Sequence, residues 1–203
     1  MPALQAVIPL PAMLAQSSAS SPMRPDLSIS RARLAMLLGG LAMFGPFSID
    51  TIFPAFRVIA RDLAVSPWMM QQTVSVYLIA YASTSLFHGA LSDAYGRRRV
   101  ILTGLAVFAL ASVGCALSMS ITTLLAFRAL QGWSAGFGLI VGRAVIRDRL
   151  HGDDAQRMMS SVSMIFSIAP AIAPVIGGWL LDGFGWHAVF WFLLLFAATL
   201  WTT

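Results

Sequence analysis

Residues 89–99 read GALSDAYGRRR and place an aspartate and three consecutive arginines in one short run. Charged residues make up only 10% of the sequence, whereas hydrophobic residues make up 58%. A soluble domain usually contains about 25% charged and about 45–50% apolar residues. This composition excludes an ordinary soluble domain, so the charged run needs a particular explanation.

Apolar segments long enough to cross a bilayer lie on both sides of this run. A membrane-spanning helix needs about 20 mostly apolar residues, and the sequence therefore predicts an all-α membrane protein. The predicted spans lie at about 34–56, 68–91, 100–120, 122–143, 158–181 and 186–203. No polar tail follows the last span, so we expect a truncated final helix and a chain that is a piece of something longer.

The first 30 residues differ in composition from the rest. They are rich in Pro, Ser and Ala and carry an apolar patch without a positively charged start, which is unlike a signal peptide. The sequence therefore predicts a flexible N-terminal tail at 1–30, followed by a membrane bundle at 31–203.

Arginine is distributed unevenly between the two sides of the predicted bundle. Only Arg57 and Arg61 lie on one side. Ten arginines lie on the other side. They occur before span one and around the loops after spans two and four: Arg24, Arg31, Arg33, Arg97, Arg98, Arg99, Arg143, Arg147, Arg149 and Arg157. Because cytoplasmic loops are enriched in Lys and Arg, this asymmetry predicts a cytoplasmic N-terminus. The three arginines at 97–99 then act as a topology anchor in the loop between spans two and three.

Two ionisable residues lie inside predicted spans. Asp50 is near the outer end of span one, and Arg128 is inside span four. A charge at a helix centre costs about 2.5–3.5 kcal/mol on insertion scales, so such residues usually face a bundle interior or a water-filled cavity. We expect Asp50 to be a cavity or an interfacial group, and Arg128 to line a cavity or pair with an acid. Pro46, one turn before Asp50, is expected to bend span one, and the combination is typical of a proton- or ion-coupled transporter.

Other classes of function lack their sequence signals. Cys115 is the single cysteine, so a disulfide within the chain and a cysteine-rich metal site are excluded. The three histidines are scattered and no Gly-x-Ser-x-Gly motif is present. The arginines form no continuous basic face of the kind that binds nucleic acid. We therefore expect no enzyme, no metal, no cofactor and no nucleic-acid partner.

Four segments resemble motifs of the major facilitator superfamily, in its N-terminal half, and they occur in the superfamily's order. The run at 89–99 resembles the loop motif between helices two and three, G-x-L-x-D-x-x-G-R-R/K-x. The matching residues are Gly89, Leu91, Asp93, Gly96, Arg97 and Arg98. Residues 124–132, LLAFRALQG, resemble the helix-four motif, with Arg128, Gln131 and Gly132 in place. Gly132 also opens a Gly-x-x-x-Gly spacing, for which close helix packing is the default interpretation.

Residues 169–178, APAIAPVIGG, resemble the helix-five antiporter motif G-x-x-x-G-P-x-x-G-G. Pro174, Gly177 and Gly178 match this motif, and Pro170 lies one turn earlier in the same stretch. Alanines at 169 and 173 stand where glycine is usual and keep the spacing of small residues. Two prolines one turn apart predict a helix that is not straight and regular.

Residues 48–56, SIDTIFPAF, resemble the helix-one motif of proton-coupled drug exporters, with Asp50 in the acidic position. The stretches at 141–148 and 184–191 are similar to the bicyclomycin- and chloramphenicol-resistance (Bcr/CflA) branch of drug:proton antiporters. The resemblance covers about residues 30–203 and implies a six-helix bundle, half of a twelve-helix fold.

The resemblance also implies a function. The bundle would take part in proton-driven efflux of small amphipathic drugs across a bacterial inner membrane, with drugs, protons and lipid as partners. Asp50 and Arg128 would couple protons, and Gln131 would line the cavity. Gly89 would let helices pack closely and Gly96 would let the loop turn. The loop motif would dock under a C-terminal six-helix half and gate the transporter, while the helix-five motif would limit leak.

Two alternatives remain open at this point. The same fold could export a metabolite, an amino acid or a siderophore, because nothing in half of a cavity excludes such cargo. The chain could also be a half-length transporter with no transport of its own. Two copies could then associate as a homodimer, since the halves of this fold are parallel repeats.

Overall fold

The computed structural model of the protein describes residues 31–202, so the predicted tail at 1–30 lies outside the described residues. Every regular element in 31–202 is helical, which confirms the predicted all-α class. The elements are α1 (Arg31–Asp50), a 3-10 helix (Phe53–Ala55), α2 (Phe56–Asp62), α3 (Pro67–Tyr95), α4 (Arg97–Ala116), α5 (Ile121–Arg149), α6 (Gly152–Phe184) and α7 (His187–Trp201). From residue 32 onward they belong to one compact unit.

Five segments of the described chain have the length and hydropathy of membrane spans. They are the continuous segment Ala32–Asp62, which includes α1 and α2, and the helices α3, α4, α5 and α6. The last helix, α7, is apolar but shorter, with 15 residues. The helices therefore extend beyond most of the predicted spans, and the connections between them are correspondingly short.

The chain reversal between α3 and α4 is a single residue, Gly96. Its φ of 91° lies in the left-handed region, which glycine adopts without a steric penalty. The arginines at 97–99, which the sequence analysis placed in a loop, instead form the first turn of α4. One glycine suffices for the reversal, so no longer loop is needed. Serines start two other spans, since the Oγ atoms of Ser66 and Ser120 accept from backbone N–H groups three residues on, as N-caps do.

Helix α5 packs closely against two neighbours through glycines. A β-carbon on Gly132 would lie 2.2 Å from the carbonyl oxygen of Tyr77 on α3, and one on Gly138 would lie 2.1 Å from that of Leu41 on α1. Such distances leave no room for a side chain, so α5 lies directly against both backbones. The packing role predicted for Gly132 agrees with this geometry.

An aromatic cluster fills the space between α1 and the helices α4, α5 and α7. The Phe44 ring centroid lies 4.7 Å from that of Phe108 on α4, 6.1 Å from that of Phe137 on α5 and 5.0 Å from that of Phe196 on α7. Phe44 is fully buried, and aromatic pairs at these distances contribute beyond their buried area. Helix α1 is therefore held by α4, α5 and α7, while its last turn faces α3 and α6.

Helix α6 continues from Gly152 to Phe184 through both of its prolines. Its Gly177 meets the span that contains α1, because a β-carbon there would lie 2.0 Å from the carbonyl oxygen of Thr51. Gly178, the next residue, has open space around it. The two glycines of the helix-five motif therefore differ, and Gly177 positions the chain immediately after Asp50.

Candidate functional site

An apolar slot of about 280 Å³ lies between α1, α3 and α6, and Asp50 forms part of its wall. The remaining wall is aliphatic, aromatic or proline: Gly45, Pro46, Ile49, Tyr77, Leu78, Tyr81, Phe166 and Pro170. Asp50 therefore supplies the slot's one carboxylate. No group of His, Cys, Asp and Glu residues suited to a metal ion occurs among the described residues.

Asp50 is the last residue of α1 and is half-buried. Its carboxylate makes no hydrogen bond and no ion pair with any residue in the range 31–202. Pro46 lies one turn earlier on the same wall and lacks the N–H that would continue the helical hydrogen bonds. Of the two positions expected for Asp50, the structure places it in a cavity.

Arg128 is fully buried and does not line the slot. Its Nη1 donates to the carbonyl oxygen of Ser48 at 3.0 Å, and its Nε donates to that of Thr73 at 3.4 Å. Because α1 ends at Asp50, the Ser48 carbonyl lies in the last turn and has no helical partner, so it is free to accept. The alternative that Arg128 pairs with an acid is wrong for the described chain, where no carboxylate lies within 4.0 Å of it.

Gln131, expected to line the cavity, instead lies in the closed interior between α4 and α5. Its Oε1 accepts from Arg128 Nη1 at 3.0 Å, and its Nε2 donates to Ser112 Oγ at 2.8 Å. A polar side chain inside a span either lines a cavity or joins a buried hydrogen-bond network. The network accounts for the position of Gln131. Gln131 supports Arg128 and does not touch the slot.

Tyr77 on α3 is the residue that the sequence analysis did not single out. Its ring centroid lies 4.5 Å from the guanidinium carbon of Arg128, within the range of a cation–π contact. The same side chain forms part of the slot wall with Asp50. Tyr81, one turn further along α3, also lines the slot and stacks on Tyr77 with centroids 6.3 Å apart. The feature of the sequence that could have indicated Tyr77 is a pair of tyrosines four residues apart in an apolar span.

The loop motif, for which a gating role is predicted, forms a charge network where α3 and α5 end and α4 begins. Arg97 Nη2 lies 2.5 Å from Asp93 Oδ1, its Nε donates to Asp148 Oδ2 at 3.0 Å, and its Nη1 donates to Ser92 Oγ. The sequence analysis missed Asp148, at the end of α5, because it lies between Arg147 and Arg149, where a charged residue is not conspicuous. Arg98 is exposed.

The close packing expected at Gly89 is not made within the described chain. A β-carbon on Gly89 would meet only Ile140, at 3.9 Å, which is an ordinary van der Waals contact. In the helix-five motif, Pro170 lines the slot and Pro174 is half-buried. Several residues of the two motifs are exposed, whereas Gly177 is buried and packs against Thr51, just after α1.

A family model described as the Major Facilitator Superfamily matches residues 34–202, which is most of the chain. The chain belongs to the Major Facilitator Superfamily. Membership makes it an integral membrane protein of a transporter family and not an enzyme. It also explains the predicted motif order, the long apolar helices and the charge network at one end of α3.

Similar proteins narrow the assignment to the Bcr/CflA-like branch of the superfamily. An uncharacterized MFS-type transporter of Bacillus subtilis is 41% identical over 167 residues, which are 81% of this chain and 42% of the relative. A bicyclomycin resistance protein homolog of Haemophilus influenzae is 35% identical, covering 79% of this chain and 40% of that protein. Multidrug resistance protein D of Escherichia coli is 34% identical, covering 81% and 42%. The chain thus spans about two-fifths of the length of these curated relatives.

Proposed function

We propose that this bundle takes part in proton-coupled efflux, by antiport, of small amphipathic drugs across the bacterial inner membrane, with its N-terminus in the cytoplasm. The observation that carries the proposal is the single unpaired carboxylate of Asp50 in an otherwise apolar slot. The names of two relatives, for bicyclomycin and multidrug resistance, support drugs as the cargo. Ten arginines on one side support the orientation.

The surroundings of Asp50 suit an exchange between a proton and a substrate. A carboxylate in an apolar slot lacks the solvation of bulk water, so a proton or a bound cation stabilises it. Both ligands compensate the same single charge, and one therefore displaces the other. Asp50 carries the exchanged proton in this account, and the proton gradient supplies the driving force without a cofactor.

The slot chemistry favours cationic and neutral cargo over anions. Tyrosine and phenylalanine rings form much of its wall, and ring faces attract cations. Arg128 does not line the wall, so among residues 31–202 no basic side chain lines the slot to hold an anion. Siderophores and metabolites that carry negative charge would be repelled by the ionised form of Asp50. Amphipathic drugs therefore remain the preferred cargo class.

Alternating access in this fold rocks one bundle against another around the substrate. Helices α3 and α6 are the least buried of the long helices and expose large apolar side chains, including Leu86, Phe87, Ile168 and Trp179. We assign these faces to a second six-helix bundle, either a C-terminal half or a second copy. The Asp93–Arg97–Asp148 network lies at the end of α3 from which it gates the cytoplasmic side.

The test is a proton-flux assay in inverted membrane vesicles that contain the chain, with ethidium and chloramphenicol supplied in turn. A transported compound is expected to move protons in the wild type. Asp50→Asn should abolish this movement, while Asp182→Asn, which removes an exposed carboxylate near the end of α6, should leave it intact. Persistent coupling in Asp50→Asn would overturn the assignment.

The same assay separates the alternative of a half-transporter without activity. Wild-type protein that is well inserted but moves no protons would favour that alternative, provided that a full-length relative responds to the same compounds. A response to a toxic metabolite or an amino acid, with none to the two drugs, would favour the alternative cargo. Each outcome assigns the bundle to one of the three functions.

A further inference from the structure

Tyr77 is in contact with two sites that do not contact each other. Its ring lies on the guanidinium of Arg128, with the carbon 4.5 Å from the ring centroid, and its side chain forms the slot wall together with Asp50. Arg128 is not part of that wall, although it binds the carbonyl of Ser48, only two residues before Asp50. A buried cation and an unpaired carboxylate therefore have Tyr77 as a shared neighbour and form no ion pair with each other.

The backbone around Tyr77 is fixed against α5. The close approach at Gly132 holds the Tyr77 carbonyl, and the Thr73 carbonyl one turn earlier accepts from Arg128 Nε. A displacement of the α3 backbone would break both contacts. The position of the Tyr77 ring is thus set by the helix pair and does not depend on the contents of the slot.

The Nη2 of Arg128 is buried and lacks a hydrogen-bond partner within residues 31–202. The buried hydroxyls of Ser48 and Tyr77 interact with each other. A buried charged donor without a partner is unfavourable, and a carboxylate would be its strongest partner. Arg128 is instead held by the Thr73 and Ser48 carbonyls and by the Tyr77 ring.

We propose that Tyr77 is a positioning residue that keeps Arg128 out of the slot and so leaves Asp50 free to gain and lose a proton. This inference rests on the proposed role of Asp50 in proton exchange. The ring holds the guanidinium by its π face on one side and occupies the slot wall on the other. A direct ion pair would keep Asp50 ionised over the working pH range and would block the exchange. The titratable and charged groups at this point come from four helices: Asp50 from α1, Tyr77 and Tyr81 from α3, Cys115 from α4, and Arg128 and Arg143 from α5. Arg143 acts on Tyr81 and Cys115 on Arg128, while α6 contributes Phe166 and Pro170 to the wall.

The protonation of Asp50 can be measured without any cargo. Dicyclohexylcarbodiimide is an apolar reagent that reacts with protonated carboxyl groups, and mass spectrometry of the labelled full chain reports its yield at Asp50 as a function of pH. An Asp50→Asn chain identifies the signal. Because an opposite charge nearby lowers the titration range of a carboxyl group by about one to three pH units, Tyr77→Ala is expected to move the labelling midpoint to lower pH by about that amount.

Three further variants separate positioning from simple disruption. Tyr77→Phe retains the ring and should label with the wild-type midpoint. Tyr77→Leu retains bulk without a π face and should shift in the same direction as Tyr77→Ala, which covers the case that the alanine variant does not fold. Tyr81→Ala, which opens the same slot without touching Arg128, should leave the midpoint unchanged. Adding Arg128→Gln to Tyr77→Ala or to Tyr77→Leu should restore the wild-type labelling midpoint.

Several results would overturn the inference. Wild-type midpoints in both Tyr77→Ala and Tyr77→Leu, or an equal shift in Tyr81→Ala, would contradict it. So would an Asp50 that never labels in the wild type, since a shielded carboxyl group must accept a proton. If the labelling behaves as expected but no compound moves protons in vesicles, the proposed drug antiport fails while the role of Tyr77 stands.

Discussion

A β-carbon placed on Gly177 of α6 would lie 2.0 Å from the carbonyl oxygen of Thr51, the residue that follows Asp50. The hydroxyl of Thr51 in turn donates to the carbonyl of Phe47 at 2.5 Å, which closes the end of α1. The helix-five motif is therefore in close contact with the residue that directly follows the acidic residue of helix one.

Gly177→Ala is expected to push α6 away from the end of α1. Overpacking of a tight contact costs typically about 1–3 kcal/mol, so the thermal unfolding temperature in detergent should fall. The adjacent variant Gly178→Ala, whose β-carbon meets open space, should unfold like the wild type. Equal unfolding temperatures for the two variants would show that the contact does not hold the helices together.

Gln131→Leu is expected to lower stability without changing ethidium affinity. The substitution removes one of two acceptors of Arg128 Nη1 and the donor to Ser112 Oγ. Arg128 Nη1 keeps the Ser48 carbonyl and Ser112 Oγ keeps the Phe108 carbonyl, so the loss is that of the hydrogen bonds themselves, about 0.5–1.5 kcal/mol for each. Unfolding by sodium dodecyl sulfate in mixed micelles measures the loss, and Gln71→Leu on the exposed face of α3 is the matched control. A change in ethidium affinity without a change in stability would instead indicate that Gln131 lines the cavity.

The contact between Arg97 and Asp148 should give a small, salt-sensitive coupling energy. Both side chains are partly exposed, and exposed ion pairs contribute about 0.2–1 kcal/mol. A double-mutant cycle with Arg97→Ala and Asp148→Ala, measured by the same detergent unfolding, is expected to fall in that range and to vanish at high salt. A parallel cycle with Arg98→Ala and Asp148→Ala should show no coupling. Equal coupling energies in the two cycles would rule out a specific pair between Arg97 and Asp148.

The sequence alone was sufficient to predict the fold class and to find Asp50 and Arg128. Each is a charge inside an apolar run, and the energetic penalty of such a charge makes it conspicuous. Their separation was not predictable, because it depends on how closely α5 approaches α1 and α3. Those distances are set by Gly132 and Gly138. The glycine spacing predicts close packing at Gly132, but it does not identify the helix that packs there.

Asp148 and Gln131 illustrate the two limits of the sequence analysis. Asp148 lies between two arginines at the end of a span, where charges are ordinary, so only the three-dimensional contact to Arg97 distinguishes it. Gln131 carried a clear signal, a polar residue in a span, yet that signal has two physical explanations. Burial against Arg128 decides between them, and burial is a property of the packed helices.

In the proposed exchange, a bound cation and a proton compete for Asp50. The direct measurement is the number of protons released when ethidium binds to the solubilised chain in weakly buffered solution, followed with a pH indicator. We predict release of up to one proton for each bound ethidium in the wild type and in Asp182→Asn, and none in Asp50→Asn. Ethidium binding without proton release in the wild type, or with equal release in Asp50→Asn, would contradict the account.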